Sequence, residues 1–465
     1  MHIIILGAGQ VGGTLAKDLE GEDNEITLVD VSQERLDELH NHLDIRTICG
    51  QASHPDILAK AGAENTDLLI AVTNSDETNM IACQIAWLLF KIPTKIARVR
   101  DPSYLKNKAM LFDKDTPGSL NVDVVISPEQ VVTEHIFKLI RYPGALQVLD
   151  FANGLVRLVA VKAYYGGPLV GNALATLKQH IPNVDTRVAA VFRQGKPIVP
   201  IGSTIIEAND EVFFIAEKND INVVIGELQK LEEPYKKIMI AGGGHIGAGL
   251  AHSLEALGCQ VKVIERDRDH ARELSAELNG TVINADAADK DMLIEENIED
   301  MDVFIAVTNN DAANIMSSML AKALGGRKVM VLINRPEYVD LAQSNGIDIA
   351  ISPQRATIGS LLTYIRQGDI AMVYSLRRGA AEAIETIAHG DSHTSRVVGR
   401  KIEELKLPPG TTIGAIVRGE SGDEKVLMAH DDVVIESDDH VILFLVDKQY
   451  VHDVERLFQV DATFI

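Results

Sequence analysis

The strongest constraint on this chain is an internal duplication. Gly7-Ala8-Gly9-Gln10-Val11-Gly12 returns as Gly242-Gly243-Gly244-His245-Ile246-Gly247. The same offset carries Asp30 onto Glu265, Ala71-Val72-Thr73-Asn74 onto Ala306-Val307-Thr308-Asn309, and Asn79 onto Asn314. One register held over about seventy residues is not a chance match and marks a repeat architecture. Small insertions and deletions then shift the alignment. Arg100-Asp101-Pro102-Ser103-Tyr104 falls on Asn334-Arg335-Pro336-Glu337-Tyr338, and Ile126-Ser127-Pro128 on Ile351-Ser352-Pro353. Later, Leu169-Val170-Gly171 matches Val397-Val398-Gly399, and Val191-Phe192-Arg193 matches Ile416-Val417-Arg418. The chain therefore reads as two copies of a large lobe followed by a smaller one. They meet near Glu232-Glu233-Pro234, where a proline ends a helix-like run.

Each copy opens as a nucleotide-binding lobe would. Ile3–Leu6 is an apolar run of buried-strand length, and after the glycine turn Val11, Leu15 and Leu19 recur on one helical face. Further strands are expected at Glu25–Asp30, Ile45–Cys49, Leu68–Val72 and Lys95–Val99, with helices over His54–Ala61 and Asp76–Phe90. Strands alternating with helices imply a parallel sheet covered on both faces. A GxGxxG pattern alone is weak evidence, because any tight turn can be glycine-rich. Here it follows a strand, opens a helix and precedes an acid at the end of the next strand. Gly7 permits the tight turn, Gly9 lets the backbone approach a pyrophosphate, and Gly12 allows close helix–strand packing. The free N–H groups and dipole of the helix start attract phosphate. Asp30 is placed to accept hydrogen bonds from adenosine ribose hydroxyls. A carboxylate there disfavours the 2′-phosphate of NADP.

The two copies are not equivalent. Arg98 ends a strand beside the expected phosphate position, whereas the second copy has Leu332. A guanidinium in the first site alone favours a ligand with more phosphate charge there, although an ordinary surface ion pair also accounts for an arginine. Gln51 matches Asp286, both placed where an adenine edge could lie. Downstream, Ser127-Pro128-Glu129-Gln130 is a helix start: the serine caps, the proline fits the first turn, and Gln130 can complete a capping box. Val132, Ile136 and Leu139 then share a face, as do Ile358, Leu361, Leu362 and Ile365 in the repeat. Such a stripe at a lobe boundary suits internal packing or a swapped or dimerising helix. Short β-type runs follow, such as Asp185–Arg193 and Glu211–Ala216, and imply a small α+β lobe. Asp210 and Asp439 read as turn residues before strands, with Asn209 and Asp438 able to take left-handed backbone.

The expected fold class is α/β: two tandem Rossmann-like, doubly wound parallel-sheet lobes, each followed by a small α+β lobe. The expected boundaries are a nucleotide lobe at 1–123, a crossover helix at 124–142 and a small lobe at 143–226. In the second copy they are 235–350, 351–367 and 368–453.

A net charge of −23 repels phosphate backbones, so no nucleic-acid partner is expected; the bland reading of the acidity is a solvated surface. The Arg377-Arg378 pair is positive only locally. Cys49, Cys83 and Cys259 show no metal-type spacing, and the first two, in apolar segments, read as small buried hydrophobes. Met1 leads directly into a strand, without the basic start and longer apolar stretch of a signal peptide, and the run Val441–Val446 is only strand length. A soluble, cytoplasmic protein is expected, reaching a membrane only through a partner. His180 and Asp210 lie in the first small lobe, but no nucleophile, base and orienting acid can be assembled around them. No catalytic or metal-ligating residues are expected.

The GAGQVG and GGGHIG turns, the AVTN repeats, the ISP helix starts and the stretches GALQVLDF and VVGRKIEELKLPPGT resemble the tandem RCK/KTN family of nucleotide-binding regulators of Trk-type potassium uptake. The resemblance covers essentially the whole chain. It implies a homo-oligomeric gating ring, peripheral at the inner face of the cell membrane and docked on a TrkH/TrkG-like potassium-translocating integral membrane subunit. It also implies that NAD(H) or ATP/ADP binding is coupled to gating. The site residues it implies in the first copy are Gly7, Ala8, Gly9, Gln10, Val11, Gly12, Asp30, Gln51, Thr73, Asn74 and Arg98. In the second they are Gly242, Gly243, Gly244, His245, Ile246, Gly247, Glu265, Asp286, Thr308 and Asn309. The family often carries Gly-Asp where this chain has Gly50-Gln51, and again where it has Asn209-Asp210 and Asp438-Asp439. Two other classes compete. A nicotinamide-dependent dehydrogenase shares the fingerprint but needs a unique substrate domain with an acid–base residue, and this chain repeats both of its lobes instead. A soluble nucleotide sensor without a membrane partner is separated by co-purification with a membrane protein.

Overall fold

The computed structural model describes residues 1–20, 24–113, 115–335, 337–365, 369–376, 381–419 and 422–460; Pro336, Arg377 and Arg378 lie outside them. The chain forms two compact units, residues 1–131 with 353–361, and residues 132–352 with 362–465.

In the first unit six strands build one sheet: β1 (His2–Leu6), β2 (Glu25–Asp30), β3 (Arg46–Cys49), β4 (Leu68–Ala71), β5 (Thr94–Arg98) and β6 (Val124–Ile126). Their order is β3-β2-β1-β4-β5-β6, with every pairing parallel. The chain therefore reverses direction across the sheet between β1 and β4, the position where open α/β sheets bind ligands. Ile3 to Leu6 and Leu68 to Ala71 are wholly buried, as strands covered on both faces must be. The expected helix over Asp76–Phe90 is α-helical only for Asp76–Ile85. A wider π turn follows over Ala86–Phe90, closed by left-handed Lys91, whose ammonium lies 4.7 Å from the Trp87 ring centre. Cys83 is buried as expected, but Cys49 is exposed. It ends β3, the edge strand of this sheet.

The second unit begins within the first crossover helix, Pro128–Arg141. Val132, Ile136 and Leu139 are buried, and the Thr133 methyl lies 3.7 Å from where a Cβ on Gly249 would stand. This helix thus packs on His245–Ala256, the glycine-turn helix of the second copy. The mirror arrangement holds in the first unit, which contains the start of the second crossover helix, Pro353–Ile365. The swapped helix is realised within one chain.

Five strands follow the first crossover helix: β7 (Ala145–Phe151), β8 (Val156–Lys162), β9 (Thr186–Arg193), β10 (Lys196–Ile198) and β11 (Glu211–Glu217). The second nucleotide lobe contains β12 (Lys237–Ala241), β13 (Gln260–Glu265), β14 (Thr281–Asn284), β15 (Val303–Ala306), β16 (Lys328–Leu332) and β17 (Ile349–Ile351). The last sheet contains β18 (Ile370–Leu376), β19 (Ala381–Ala388), β20 (Thr411–Arg418), β21 (Lys425–Met428) and β22 (Asp439–Leu445). The parallel order β14-β13-β12-β15-β16-β17 repeats that of the first unit, and the antiparallel orders β10-β9-β11-β8-β7 and β21-β20-β22-β19-β18 repeat each other. The two small sheets share one apolar core, in which Phe213 meets Phe444 at 5.4 Å and Phe151 meets Tyr374 edge-on at 5.2 Å between ring centres. Among the described residues no helix is long and apolar enough to cross a membrane.

Asn209 (φ 72) and Asp438 (φ 65) take the left-handed backbone expected of them. The residues after them correct the sequence reading. Asp210 and Asp439 are not merely turn formers; both are fully buried. Asp210 receives a two-armed guanidinium fork from Arg193 at 2.9 and 2.9 Å, and Asp439 one from Arg418 at 2.8 and 2.8 Å. Each carboxylate also accepts the backbone N–H of Glu207 or Glu436. Charges removed from water in this way require such partners.

We expect Arg193→Ala to destabilise the small-lobe core by about 3 kcal/mol, because it leaves the buried Asp210 carboxylate unpaired. Urea unfolding followed by circular dichroism measures this, and an unchanged midpoint would show that water replaces the guanidinium at no cost.

Candidate nucleotide sites

At the end of β1 the chain turns sharply at Gly7 (φ 109), whose N–H donates to the Val29 carbonyl of β2 at 2.7 Å. The helix Gln10–Glu20 then returns over the sheet. A Cβ on Gly12 would stand 1.9 Å from the Gly7 carbonyl oxygen, a distance no side chain tolerates, so this crossing requires glycine. A Cβ on Gly9 would meet nothing within 4 Å. The mouth of the turn is open where a phosphate would approach.

Asp30 closes the turn from the neighbouring strand end. One carboxylate oxygen accepts the Ala8 N–H at 2.7 Å and the other accepts the Ser32 N–H at 2.8 Å. Each oxygen keeps a further lone pair, so the acid can shape the turn and still accept ribose hydroxyls. On the other side, the Thr73 N–H and hydroxyl both reach Asn79 Oδ1, at 2.9 and 2.7 Å. Asn79 is fully buried and donates in turn to the Arg98 carbonyl at 2.9 Å. The sequence showed Asn79 only as a repeated residue; here it ties the end of β4 to the end of β5. Asn74 is exposed at the same rim, and its carbonyl accepts from Arg100.

The second copy reproduces this frame. Gly242 (φ 106) donates its N–H to the Ile264 carbonyl, a Cβ on Gly247 would likewise stand 1.9 Å from the Gly242 oxygen, and Gly244 is open. Glu265 accepts the Gly243 N–H at 2.9 Å and the Asp267 N–H at 2.8 Å. Thr308 reaches Asn314 at 2.9 and 2.6 Å, and Asn314 donates to the Leu332 carbonyl at 3.0 Å. Gly243 replaces Ala8 because Leu274 occupies the space, 2.2 Å from where a Cβ would stand.

Further differences separate the sites. Arg98 stands at the end of β5 with its Nε buried and without a hydrogen-bond partner among the described residues. Burial pulls its pKa below the usual arginine value, against the attraction of Glu129. Leu332, in the same place, is apolar and buried. His270, which the sequence did not single out, follows the capping residue Asp267, and its Nε2 lies 3.0 Å from the Gly243 carbonyl. That bond, then Glu273 and the charge of Glu265, raise its pKa above the ordinary 6.5. Gln51 and Asp286 are both exposed just beyond the ends of β3 and β14, and Asp286 is engaged by the Ala288 N–H at 2.9 Å. Gln10 and His245 are exposed at the helix starts, next to Val11 and Ile246, and Asn309 is exposed beside Thr308.

The family model of the TrkA-N domain matches residues 3–128 and 238–353, and that of the TrkA-C domain matches 158–229 and 392–459. The chain is 61% identical to the Trk system potassium uptake protein TrkA of Vibrio alginolyticus and 60% identical to that of Halomonas elongata, over the full length of each. Among solved structures it resembles the crystal structure of the GsuK RCK domain, with a TM-score of 0.60 at 18% identity, covering 98% of this chain and 94% of that one. It resembles the GsuK channel bound to NAD with the same TM-score and identity, covering 98% of this chain and 78% of that one.

Gly12→Ala and Gly9→Ala should behave oppositely in stability. The first forces the helix off the strand and should cost about 2–3 kcal/mol or more, whereas the second should fall within about 0.5 kcal/mol of the unmodified protein. Scanning calorimetry without ligand decides. The second site should also respond to pH. Protonated His270 places a positive charge beside the Gly243 turn, so affinity for an anionic ligand should be full at low pH and decline as pH rises through its raised pKa. Titration calorimetry across that range, compared with His270→Phe, measures the few-fold effect.

Proposed function

The chain belongs to the TrkA family of Trk-system potassium uptake proteins, and on that footing we propose that it is a nucleotide-binding regulatory subunit that gates a potassium-translocating membrane subunit. The observation that carries this reading is the paired glycine turn, each clasped by the acid of the next strand: Ala8 to Asp30 and Gly243 to Glu265. The open Gly9 and Gly244 receive the phosphates and the acids receive the ribose, a chemistry that suits NAD(H) or ATP/ADP and disfavours a 2′-phosphate. The wider site comprises the residues of both turns with Thr73, Asn74, Arg98, Thr308 and Asn309, and with Gln51 and Asp286 beside the base. The protein works as a homo-oligomeric ring, peripheral at the inner face of the membrane. It binds nucleotide without converting it.

The first site is the better candidate for the switch. A ligand moves a conformational equilibrium only by its differential affinity for the two states. Arg98 gives this site a charge that distinguishes a terminal triphosphate from a diphosphate, and Leu332 gives the second site none.

Calorimetric titration of the full chain with NADH, NAD, ATP and ADP tests the reading. Asp30→Ala should weaken the first site ten- to hundredfold, the equivalent of about 1.5–3 kcal/mol, and spare the second, with Glu265→Ala doing the reverse. Arg98→Ala should lower ATP affinity more than ADP affinity, and should abolish nucleotide-dependent potassium flux with the membrane partner. An unchanged ATP-to-ADP ratio would remove Arg98 from the switch, and steady consumption of NADH or ATP would overturn the regulatory reading.

A further inference from the structure

One side chain of the second repeat stands on the glycine-turn helix of the first. Gln354, 5% exposed, donates from Nε2 to the backbone carbonyl of Gln10 at 2.7 Å and to Thr14 Oγ1. The following residue, Arg355, is drawn electrostatically to Asp18 on the same helix. Gln354 Oε1 is buried with no hydrogen-bond partner among the described residues. Turning the amide over would set its oxygen against the Gln10 carbonyl, acceptor against acceptor, so its orientation is fixed. An unpaired buried acceptor is costly. The fold bears that cost to keep the amide N–H groups on Gln10 and Thr14.

The consequence reaches the mouth of the site. The carbonyl of Gln10 and the N–H of Val11 belong to one peptide group, and a hydrogen bond to the carbonyl polarises the group and strengthens the N–H as a donor. Val11 lies in the first turn of the helix, where N–H groups have no partner inside the helix and face an incoming anion. The arrangement is one-sided by sequence. Where the second repeat has Gln354 the first has Glu129, which carries no N–H, and where the first has Thr14 the second has Gly249, which carries no hydroxyl. The mirror contact cannot form on the second glycine-turn helix.

We propose that Gln354 is a positioning residue of the first nucleotide site, which acts through Gln10 and Thr14 to orient and polarise the N–H groups that bind phosphate. Affinity at the first site then depends on the crossover helix of the second repeat. The inference rests on the reading of the glycine turns as nucleotide sites.

The test uses the full-length chain and ADP as the calorimetric probe. Glu265→Ala isolates the first site and Asp30→Ala isolates the second. Gln354→Leu keeps the size of the side chain and removes both hydrogen bonds, and Thr14→Val removes one acceptor. Each should lower ADP affinity at the first site three- to tenfold and leave the second unchanged. The double variant should be no weaker than the weaker single one, because all three disrupt one network. Gln354→Glu, which sets an acceptor and a negative charge against Gln10, should be weaker still. A purely structural role predicts a lower melting temperature with ADP affinity intact; that result, or equal losses at both sites, overturns the proposal. Should Gln354→Leu not fold, Thr14→Val carries the same test. Failure of the unmodified chain to bind ADP would overturn the nucleotide reading itself, a result distinct from intact binding that ignores Gln354.

Discussion

The structure depends on a contact that exists only because two side chains are missing. Gly12 lies against the Gly7 carbonyl, and Gly247 against that of Gly242, so closely that a single added carbon would collide with the oxygen. This approach lets a helix leave the strand at once and lie back over the sheet with its N–H groups at the strand ends. The sheet order, with its reversal between β1 and β4 and between β12 and β15, places that helix start at a crevice. The acids at the ends of β2 and β13 then hold the turn by its second N–H. Remove the glycine and each later feature loses its geometry.

Much of this was legible in the sequence because the signals are local. Buried strands such as Ile3 to Leu6 declare themselves as apolar runs, and the glycine turn, the acid and the helix start follow within one βαβ unit. The repeat then doubles every local signal. What escaped reading depends on partners far along the chain or on the unseen side of an element. Asp210 looked like a turn residue because its partner, Arg193, lies 17 positions earlier on another strand. Cys49 looked buried because its apolar segment does not reveal that β3 is an edge strand. Asn79 and Asn314 were visible as repeats, yet their role, bridging one strand end to the next, appears only when β4 and β5, or β15 and β16, are set side by side.

The small sheets show the same limit on a larger scale. The apolar run of β8 marks a buried strand, but nothing in it says that the two small sheets share a single core. Phe213 against Phe444 and Phe151 against Tyr374 settle that in space. The backbone of Ala152, at φ 46, is held there by Glu385, whose carboxylate accepts its N–H at 2.9 Å while also bonding to His440. A turn in one small lobe is thus fixed by a buried acid of the other.

A duplicated chain can become asymmetric in a way that a dimer of identical subunits cannot. Once both copies lie on one polypeptide, a substitution in one is not copied into the other. Arg98 aligns with Leu332, Thr14 with Gly249, and Glu129 with Gln354, so the two copies differ at each of these positions. All three lie at the strand ends, the glycine-turn helices or the crossover helices, and the shared frame of glycines, acids and asparagines is kept. That distribution is informative. Divergence in the frame would disrupt the turn itself, whereas divergence around it alters only the charge and hydrogen-bonding groups beside the turn. Coupling between two sites is a free energy that must be equal in both directions. A ligand bound equally in two states moves neither, so on the proposed reading only a difference between the sites lets one of them bias a conformational equilibrium that the other leaves unmoved.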